Sequence, residues 1–574
     1  MSEKTIEIKI CKHCQSSFEI TDKDLELYDK ISPSFPSPDS LVSGLKKIQI
    51  PSPTLCPDCR QQRRLSFRNE RNLYRRKCDA TGKQIISIYS PDKKYKVYNS
   101  DFWWSDKWDA MNYGLDFDFN KSFFEQFDNL MKEVPRLQNY QTKNEDSEYT
   151  NGTAYNNNCY LIFVSDHNEN SLYCEDVFHN QNLIDCSDCT NCEHGFYCVG
   201  CKNCYSGKYL IDCYDCSNCS FCFDCKNSND CFLSVGLRNK SYMIRNIQYT
   251  REDYLEEMKK YGNLTFGNIK KLFSELLEIK KTFPHLNFHG NSNENTLGDY
   301  NFNCKDSYNI YSSHDAENCK NSIFCNQAKN CHDCYVAVDN CELIYENVSS
   351  IGLVKSAFNF GSWVNCNNLY YTDHSQNCNN LFGCIGLKNK SYCILNKQYE
   401  KNEYEKLVPK IIEHMQKNNE WGEYFPVNIS PFGYNESASQ EYFPISKEKA
   451  LKDNFNWSEY ESPLPKVDKI IPANKLPESI KDIPDDILNW AIECEVTNKP
   501  FRILKQELDF YRKHNLPIPR RHPEQRHLDR IALKNPKKMF DRKCDKCGKT
   551  IKTSYYPNTE ELVYCEECYN KEIY

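Results

Sequence analysis

The stretch that decides the fold is CYDCSNCSFCFDC, residues 213–225, in which every third residue is a cysteine. The spacing holds from Cys159 to Cys231, where all 14 cysteines have residue numbers divisible by three. An α-helix of about 3.6 residues per turn and a strand with alternating faces both fail to place one side chain at every third position. A coil of short edges and tight corners does so, because equivalent positions return once per coil and stack. The pattern predicts a parallel β-solenoid.

The residues before these cysteines suit the corners of such a coil. Asn or Asp directly precedes 17 of the 24 cysteines in the segment 159–393. Both residue types tolerate left-handed backbone, and the small cysteine side chain is readily buried. Cysteine pairs twelve and eighteen positions apart both occur, so either coil length is open. We therefore expect a buried ladder of thiols.

The central region is duplicated. GLRNKSYMIRNIQYTREDY at 236–254 matches GLKNKSYCILNKQYEKNEY at 386–404, with 11 identities in 19 positions. Helix-like sequence follows each copy, around 251–260 and 401–418, and an amphipathic segment lies between the copies at 268–283. These features predict two solenoid arms whose exposed edges are covered by helices. In the second arm the cysteine phase changes between Cys334 and Cys366, which we interpret as a looped-out stretch.

The two ends of the chain are also copies of each other. The segment 51–102 aligns without a gap with the segment 517–568, which lies 466 positions later, and the two share 17 identities. Each copy has room for two pairs of CxxC motifs but holds one complete set of four cysteines. The complete sets are Cys11, Cys14, Cys56, Cys59 and Cys544, Cys547, Cys565, Cys568. In the other copy the corresponding places are Cys494, Thr497, His522, Gln525 and Cys78, Thr81, Asn99, Phe102.

Four cysteines in paired CxxC motifs predict a structural zinc site. Each motif presents two thiolates to one ion, and two motifs close a tetrahedron with no position left for water or substrate. We therefore expect two zinc ions per chain, one at each complete set. The orphan residues Cys78 and Cys494 should bind no metal alone.

The predicted fold class is multidomain and mainly β: a two-arm parallel β-solenoid flanked by duplicated zinc-ribbon-like α+β modules, in the order A–B–B′–A′. The expected domains are module A at 1–135, arm B at 150–260, a helical connector at 261–293, arm B′ at 294–418, an extended connector at 419–485 and module A′ at 486–574.

Composition restricts the class of protein. The 574 residues carry a net charge of −7, with no apolar run long enough to span a membrane and no secretory signal, so we expect a cytoplasmic location. Two segments differ from this near-neutral balance. Residues 60–77 and residues 520–549 each carry a net charge of +7, which leaves a net charge of −21 for the rest of the chain. Their basic residues are candidates for contacting RNA or another polyanion, or for docking on the acidic solenoid within the same molecule. The candidate residues are Arg60, Arg63, Arg64, Arg68, Arg71, Arg75, Arg76, Arg520, Arg521, Arg526, Arg530, Lys537 and Lys538.

Two other functions are compatible with parts of the sequence. His167, His314 and His374 end similar tetrapeptides (VSDH, YSSH, YTDH), and hexapeptide-coil acyltransferases use a histidine from such a fold, which leaves open an acyltransferase-like enzyme. Dense cysteine runs leave open a thiol-rich metal or redox protein, although no run has the ferredoxin spacing.

The motifs CPDCRQQRRLSFRN, RKCDATGK, GLKNKSY, SPFGYNES and PFRILKQELDFYRKHNLPIPRRHPEQR resemble those of a group of bacterial proteins that place zinc-ribbon ends around a Cys- and Asn-rich central repeat. Some chains of this group carry a CoA-transferase label, which the present sequence does not support, because it has no doubly wound nucleotide-binding pattern. The resemblance implies an architecture without a known activity. We expect a non-enzymatic zinc-binding scaffold or adaptor that engages RNA or a protein through its basic ends.

Overall fold

The computed structural model describes residues 3–36, 44–262, 264–338 and 340–573. The molecule is multidomain, with many sheets and about one quarter of its residues in helices. Within the described residues, no helix is both long enough and apolar enough to cross a membrane.

The first arm, at 141–248, is a ladder of parallel strands that ends in one antiparallel strand; in its parallel part, paired residues are twelve positions apart. Thr150 pairs with Ile162, and Glu175 pairs with Ser187. Isolated bridges between the strands keep the same separation. The strands are Gln141–Thr142, Thr150–Ala154, Ile162–Asp166, Glu175–Phe178, Ser187–Thr190, Lys208–Ile211, Ser220–Phe223, Asn229–Val235, Ser241–Ile244 and Ile247–Gln248.

Left-handed backbone at every third residue turns the chain inside this ladder. Asp212, Asp215 and Asn218, for example, have φ of 52°, 52° and 53°. Each precedes a cysteine, and all of the central cysteines, from Cys159 to Cys393, are buried. The prediction that Asn and Asp occupy left-handed positions before buried thiols is therefore confirmed, and the ladder repeats at every twelfth position.

The second arm, at 290–398, begins with a one-position shift between Leu297 and Gly298 and then has the same register with two slips further along. Tyr308 pairs with Lys320, the twelfth residue after it, whereas Cys331 pairs with Ile344, the thirteenth. A second slip of one position lies between Ile351 and Leu353. The slips account for the change of phase among the cysteines, and the stretch that we expected to loop out is a long strand. The strands are Gly290–Asn291, Leu297–Asp299, Asn301–Phe302, Tyr308–Tyr311, Lys320–Asn326, Cys331–Val338, Glu342–Phe360, Trp363–Tyr370, Asn379–Phe382, Ser391–Ile394 and Lys397–Gln398.

The arms end alike. In each, the last two strands are antiparallel and a helix follows. Tyr242 packs on Tyr254 with ring centroids 5.7 Å apart, and the pair 150 positions later, Tyr392 and Tyr404, has the same separation. The helices of this region are Arg251–Met258, Phe266–Thr282 and Lys401–Lys417, with a 3₁₀ turn at Lys259–Tyr261. The predicted helices are therefore present.

The N-terminal module, at 3–137, combines small sheets with helices. Its strands are Thr5–Ile10, Ser17–Thr21, Ser34–Pro36, Leu45–Lys47, Tyr74–Lys77, Gln84–Ser87, Val97–Tyr98 and Arg136–Leu137. Its helices are Asp22–Ile31, Pro57–Leu65, Ser100–Trp104 and Phe123–Glu133, with a 3₁₀ turn at Ala110–Tyr113.

The C-terminal module, at 469–573, repeats part of this arrangement with the offset found in the sequence. Its helix Pro523–Ile531 corresponds residue for residue to Pro57–Leu65, and its hairpin Phe540–Lys543/Thr550–Thr553 corresponds to Tyr74–Lys77/Gln84–Ser87. The remaining strands are Lys469–Pro472, Trp490–Glu493, Pro500–Phe501 and Leu562–Tyr564, and the helices are Lys505–Lys513 and Glu566–Ile573. Three 3₁₀ turns, Ala473–Lys475, Ile480–Asp482 and Asp485–Asn489, complete it.

The connector between the second arm and the C-terminal module, at 418–468, contains short helical segments. They are Val427–Ile429, Tyr434–Glu436, Ala438–Tyr442 and Lys447–Lys452. Ser430 donates a hydrogen bond to the backbone oxygen of Ser66 at 2.6 Å, and Ser439 donates one to that of Gln62 at 2.7 Å. The connector therefore packs along the helix Pro57–Leu65 of the N-terminal module.

Candidate metal centres and the contacts that dock the end modules

The N-terminal cysteine site joins a turn to a helix start. Cys11 and Cys14 lie in the turn between the strands Thr5–Ile10 and Ser17–Thr21, whereas Cys56 is the N-cap of the helix Pro57–Leu65 and Cys59 lies in its first turn. The four sulfur atoms lie within 4.8 Å of one another. Hydrogen bonding from the Cys59 thiol lowers the pKa of Cys56 to about 5, so this group favours the thiolate that a metal requires.

The C-terminal cysteine site has the same plan. Cys544 and Cys547 lie in the turn of the hairpin Phe540–Lys543/Thr550–Thr553, and Cys565 and Cys568 lie at the start of the last helix. Their sulfur atoms also lie within 4.8 Å of one another. Burial opposes ionisation of Cys544, but backbone N–H groups, the Cys565 N–H first among them, outweigh burial and lower its pKa to about 6. Both four-cysteine sets can therefore hold a metal ion, as predicted.

The two degenerate sites keep the turn but lack the ligands. In the turns at Cys11, Cys78, Cys494 and Cys544, the N–H of the fourth residue after the cysteine donates to the cysteine carbonyl at 2.9–3.0 Å. The Asn99 N–H donates to the Cys78 sulfur at 3.2 Å, as the Cys565 N–H does to the Cys544 sulfur at 3.3 Å. Within the described residues, neither Cys78 nor Cys494 belongs to a group of three ligand atoms.

The central cysteines do not gather into a metal cluster in the part of the chain that the structure describes. Their thiols instead donate to backbone oxygens two positions earlier and nine positions later. Cys213, for example, faces the oxygens of Ile211 at 3.4 Å and Cys222 at 3.5 Å. The geometry therefore favours a ladder of core thiols over a sulfur cluster.

The basic helix of the N-terminal module docks on the second arm. Arg60 and Arg64 lie one turn apart and both reach Asp333, with nitrogen–oxygen distances of 2.7 and 3.6 Å. Arg64 also lies 3.4 Å from Glu346, and all four side chains are at most 3% exposed. Asp333 occupies a left-handed corner position, φ 55°, directly before Cys334. These contacts hold the module against the arm.

The C-terminal module repeats this contact on the first arm. Arg526 and Arg530, the counterparts of Arg60 and Arg64, both reach Asp185, at 2.5 and 2.8 Å. Asp185 again occupies a left-handed corner, φ 54°, directly before a cysteine. Each end module therefore clamps one buried aspartate of the arm that is remote from it in sequence.

A second pair of equivalent contacts supports this crosswise docking. Trp103 of the N-terminal module packs on Lys388 of the second arm, whose Nζ lies 4.2 Å from the ring centroid. Tyr569, 466 positions after Trp103, accepts a hydrogen bond at 2.8 Å from Arg238, 150 positions before Lys388. Residues that correspond in the duplicated modules, 466 positions apart, thus contact residues that correspond in the duplicated arms, 150 positions apart.

Most of the basic residues predicted as candidates for polyanion contact have side chains that are buried in ion pairs within the chain. Arg60, Arg63, Arg64, Arg68, Arg71, Arg76, Arg526 and Arg530 are at most 10% exposed and each faces a carboxylate. Arg520 pairs with Glu478, and Arg521 pairs with Glu495 and Asp529. Lys537 lies against the rings of Phe324 and Tyr442, and Arg75 and Lys538 are exposed. The alternative of docking on the acidic arms is the one that these contacts support.

The three histidines do not share one environment. His374 is 4% exposed and bonds the Tyr140 hydroxyl at 2.7 Å, whereas His314 stacks on Phe302 and His167 stacks on His179. They form no common set of groups that would act on one substrate.

Comparison with known proteins adds no relative: no protein-family model and no curated protein matches the chain. Reasoning from the sequence missed the acidic partners Asp185, Asp333 and Glu346. The two aspartates carried a usable signal, since an Asp directly before a central cysteine is a corner residue. Glu346 carried none, because only the packing of the helix Pro57–Leu65 brings it to Arg64.

Proposed function

We propose that this protein is a non-enzymatic, zinc-stabilised scaffold in which two β-solenoid arms are locked together by the end modules. The arms supply the rigid body of the scaffold, and each module acts as a clasp on the arm that is remote from it in sequence. A protein, rather than RNA, is the proposed partner.

The solenoid assignment is supported by the register of one pairing per twelve positions, by left-handed residues at every third position and by the buried side chains that follow them. A coil of twelve residues with four straight edges of three residues each accounts for all three features. At each corner a left-handed residue turns the chain, and the side chain that follows it points into the core.

The zinc assignment is supported by ligand chemistry. Four cysteine sulfurs form a soft, closed ligand set that suits tetrahedral zinc and leaves no position for a substrate. The proposed role of each ion is structural. The N-terminal ion fixes the start of the helix that carries Arg60 and Arg64, and the C-terminal ion fixes the start of the last helix, which carries Tyr569.

The observation that carries the proposal is the pair of buried arginine clamps on Asp333 and Asp185. Removing one partner of such a buried pair leaves an uncompensated charge and costs about 3–5 kcal/mol, so the docked arrangement requires both partners to be present. The arginines that would otherwise attract RNA are occupied by these contacts.

The surface proposed for the partner is the strand Thr5–Ile10. Its only partner strand among the described residues is Ser17–Thr21, so one backbone edge is unpaired. Ile6, Ile8 and Ile10 of this strand are 51%, 67% and 59% exposed. An unpaired edge with an apolar row suits the addition of an extended segment of another protein.

Removal of the C-terminal metal tests the clasp. Under limited proteolysis, Cys547→Ser should release the segment from Phe540 onward, which contains the hairpin and the last helix, as a protease-sensitive tail, while the arms resist digestion. Cys78→Ser, at the degenerate site, is the matched control and should digest like the unmodified protein. If Cys547→Ser keeps the C-terminal module protected, the metal-dependent clasp is wrong.

The partner surface has a separate test. A photo-crosslinker placed at Ile8 should attach to one defined protein at an extended segment, and Ile6→Lys in the same chain should abolish that product. A crosslinker at the exposed Leu464 is the control. Products that are the same at both positions would contradict the proposal.

A further inference from the structure

Glu175, Glu441 and His527 come together in the interior where four parts of the chain meet. Glu175 belongs to the first arm, Glu441 to the connector helix Ala438–Tyr442 and His527 to the helix Pro523–Ile531 of the C-terminal module. The fourth part, the N-terminal module, contributes Arg71, which donates to Glu175 at 2.5 Å. Successive members of this group are 104, 266 and 86 positions apart in the sequence, so only the docking of the modules creates the group.

The three side chains have the chemistry and spacing of metal ligands. One ring nitrogen of His527 and one oxygen of each glutamate lie within 4.8 Å of one another. His527 Nδ1 is 3.3 Å from Glu175, and Nε2 is 3.1 Å from Glu441. The two glutamates face different ring nitrogens, so an ion bound to one nitrogen requires one carboxylate to rotate towards that side of the ring.

An unpartnered buried atom points into this group. The His527 side chain is 2% exposed, and within the described residues its Nδ1 atom has no hydrogen-bond partner. Glu175 and Glu441 are 11% and 12% exposed. The Glu175 carboxylate, 3.3 Å away, forms no hydrogen bond with this nitrogen, and a buried ring nitrogen without a hydrogen bond is costly. A cation between the nitrogen and the carboxylate would bind both.

We propose that Glu175, Glu441 and His527 bind a third metal ion, a first-row divalent cation such as Zn²⁺, Mn²⁺ or Co²⁺. An imidazole with two carboxylates favours these ions over Ca²⁺ and Mg²⁺, which take oxygen ligands. Arg71 holds the Glu175 carboxylate from outside the ligand set, as outer-shell groups do in metal sites. The ion would cross-link the first arm, the connector and the C-terminal module.

Metal content and cobalt spectroscopy of the full chain test the proposal. Unmodified protein from zinc-supplemented medium should contain three ions, and His527→Asn or Glu441→Gln should contain two. After cobalt replaces zinc, the variants should lose only the weak bands of a nitrogen- and oxygen-bound ion and keep the sulfur-to-cobalt charge-transfer bands of the cysteine sites.

His522→Asn is the matched control, because His522 lies on the same helix start but outside the group; it should keep three ions. Glu441→Gln preserves side-chain volume, so a loss of one ion with an unchanged far-UV circular dichroism spectrum would show that the fold is intact. Two ions in the unmodified protein after dialysis against excess Zn²⁺, Mn²⁺ and Co²⁺ in turn would overturn the proposal. Three ions retained in His527→Asn would also overturn it.

Discussion

At the scale of the residue, the thiols of this protein fall into two classes. The central cysteines are buried and donate to backbone oxygens, whereas Cys14 and Cys547 are exposed members of the metal sites. A buried neutral thiol resists alkylation because the thiolate is the reactive form and burial disfavours it.

We therefore expect the central cysteines to resist iodoacetamide in the native protein and to react after denaturation. Mass spectrometry of the labelled peptides measures this residue by residue. Chelation of the metal should make Cys14 and Cys547 the first metal-site cysteines to react. Rapid native labelling of most central cysteines would contradict the buried ladder.

The second prediction at this scale concerns one ligand. Cys547→Ser should remove one zinc ion per chain and unfold the C-terminal hairpin and last helix, since structural zinc contributes on the order of 10 kcal/mol to small modules. Cys78→Ser should leave the metal count unchanged. Elemental analysis measures the zinc content of both variants. An unchanged zinc content in Cys547→Ser would remove the C-terminal site from the zinc assignment.

His289 supplies a prediction in pH. Burial opposes its protonation, but Asp299, 3.0 Å away, outweighs burial and raises the pKa of His289 to about 9. The folded state therefore binds the proton more tightly than the unfolded state, whose histidine pKa is about 6.5. The resulting stability is fully present below about pH 6.5 and is lost as pH rises through about 9.

We expect up to about 3 kcal/mol of unfolding free energy to disappear between about pH 6.5 and 9 in the unmodified protein relative to His289→Gln. Urea unfolding at several pH values measures this difference. Parallel pH profiles for the two proteins would mean that His289 titrates normally in the folded state.

At the scale of the element, the helices Pro57–Leu65 and Pro523–Ile531 act as equivalent docking elements. Each carries two arginines one turn apart, so both guanidinium groups leave the same face and meet one aspartate. The aspartate is held in a left-handed corner, a conformation that Asn also tolerates. Substitution by Asn thus removes the charge without straining the backbone.

Asp185→Asn should lower the free energy of unfolding by about 3–5 kcal/mol, because Arg526 and Arg530 then lose their buried counterion. Asp333→Asn should act alike on the N-terminal module. The control is Asp509→Asn, whose ion pair with Lys505 is exposed and should matter by less than about 1 kcal/mol. Thermal unfolding of the four proteins checks the ranking; equal effects at Asp185 and Asp509 would contradict the clamp.

At the scale of the whole molecule, nucleic-acid binding depends less on the net charge of a segment than on whether its charged side chains are accessible to solvent. The two basic segments are +7 each against −21 for the remainder, but most of their arginines neutralise carboxylates inside the chain. Binding to phosphates requires accessible cations whose counterions can be released.

The native protein should therefore show no steep salt dependence of RNA binding, and reversing the exposed Arg75 and Lys538 to Glu should change that binding little. Filter binding to a single-stranded RNA between low and physiological salt measures the slope. A steep slope that flattens in the double variant would restore the RNA-binding hypothesis.

Several features could be predicted from the sequence by itself because they depend on the spacing of residues and on the conformations that neighbouring residues allow. A cysteine at every third position required a left-handed residue before it, and Asn or Asp supplied that residue, as at Asp215 and Asn218. The CxxC spacing likewise brought the two four-cysteine sets together, and the constant offset between the two ends predicted matching helices and hairpins.

Tertiary structure alone decided what the ends contact. The charge of Arg60 or Arg530 was visible in the sequence, but whether it faces water or a buried aspartate depends on crosswise docking between parts of the chain that are far apart in sequence. The same docking brings Glu175, Glu441 and His527 to one point. No local pattern encodes such a meeting, because it requires the arms, the connector and both modules to be packed at once.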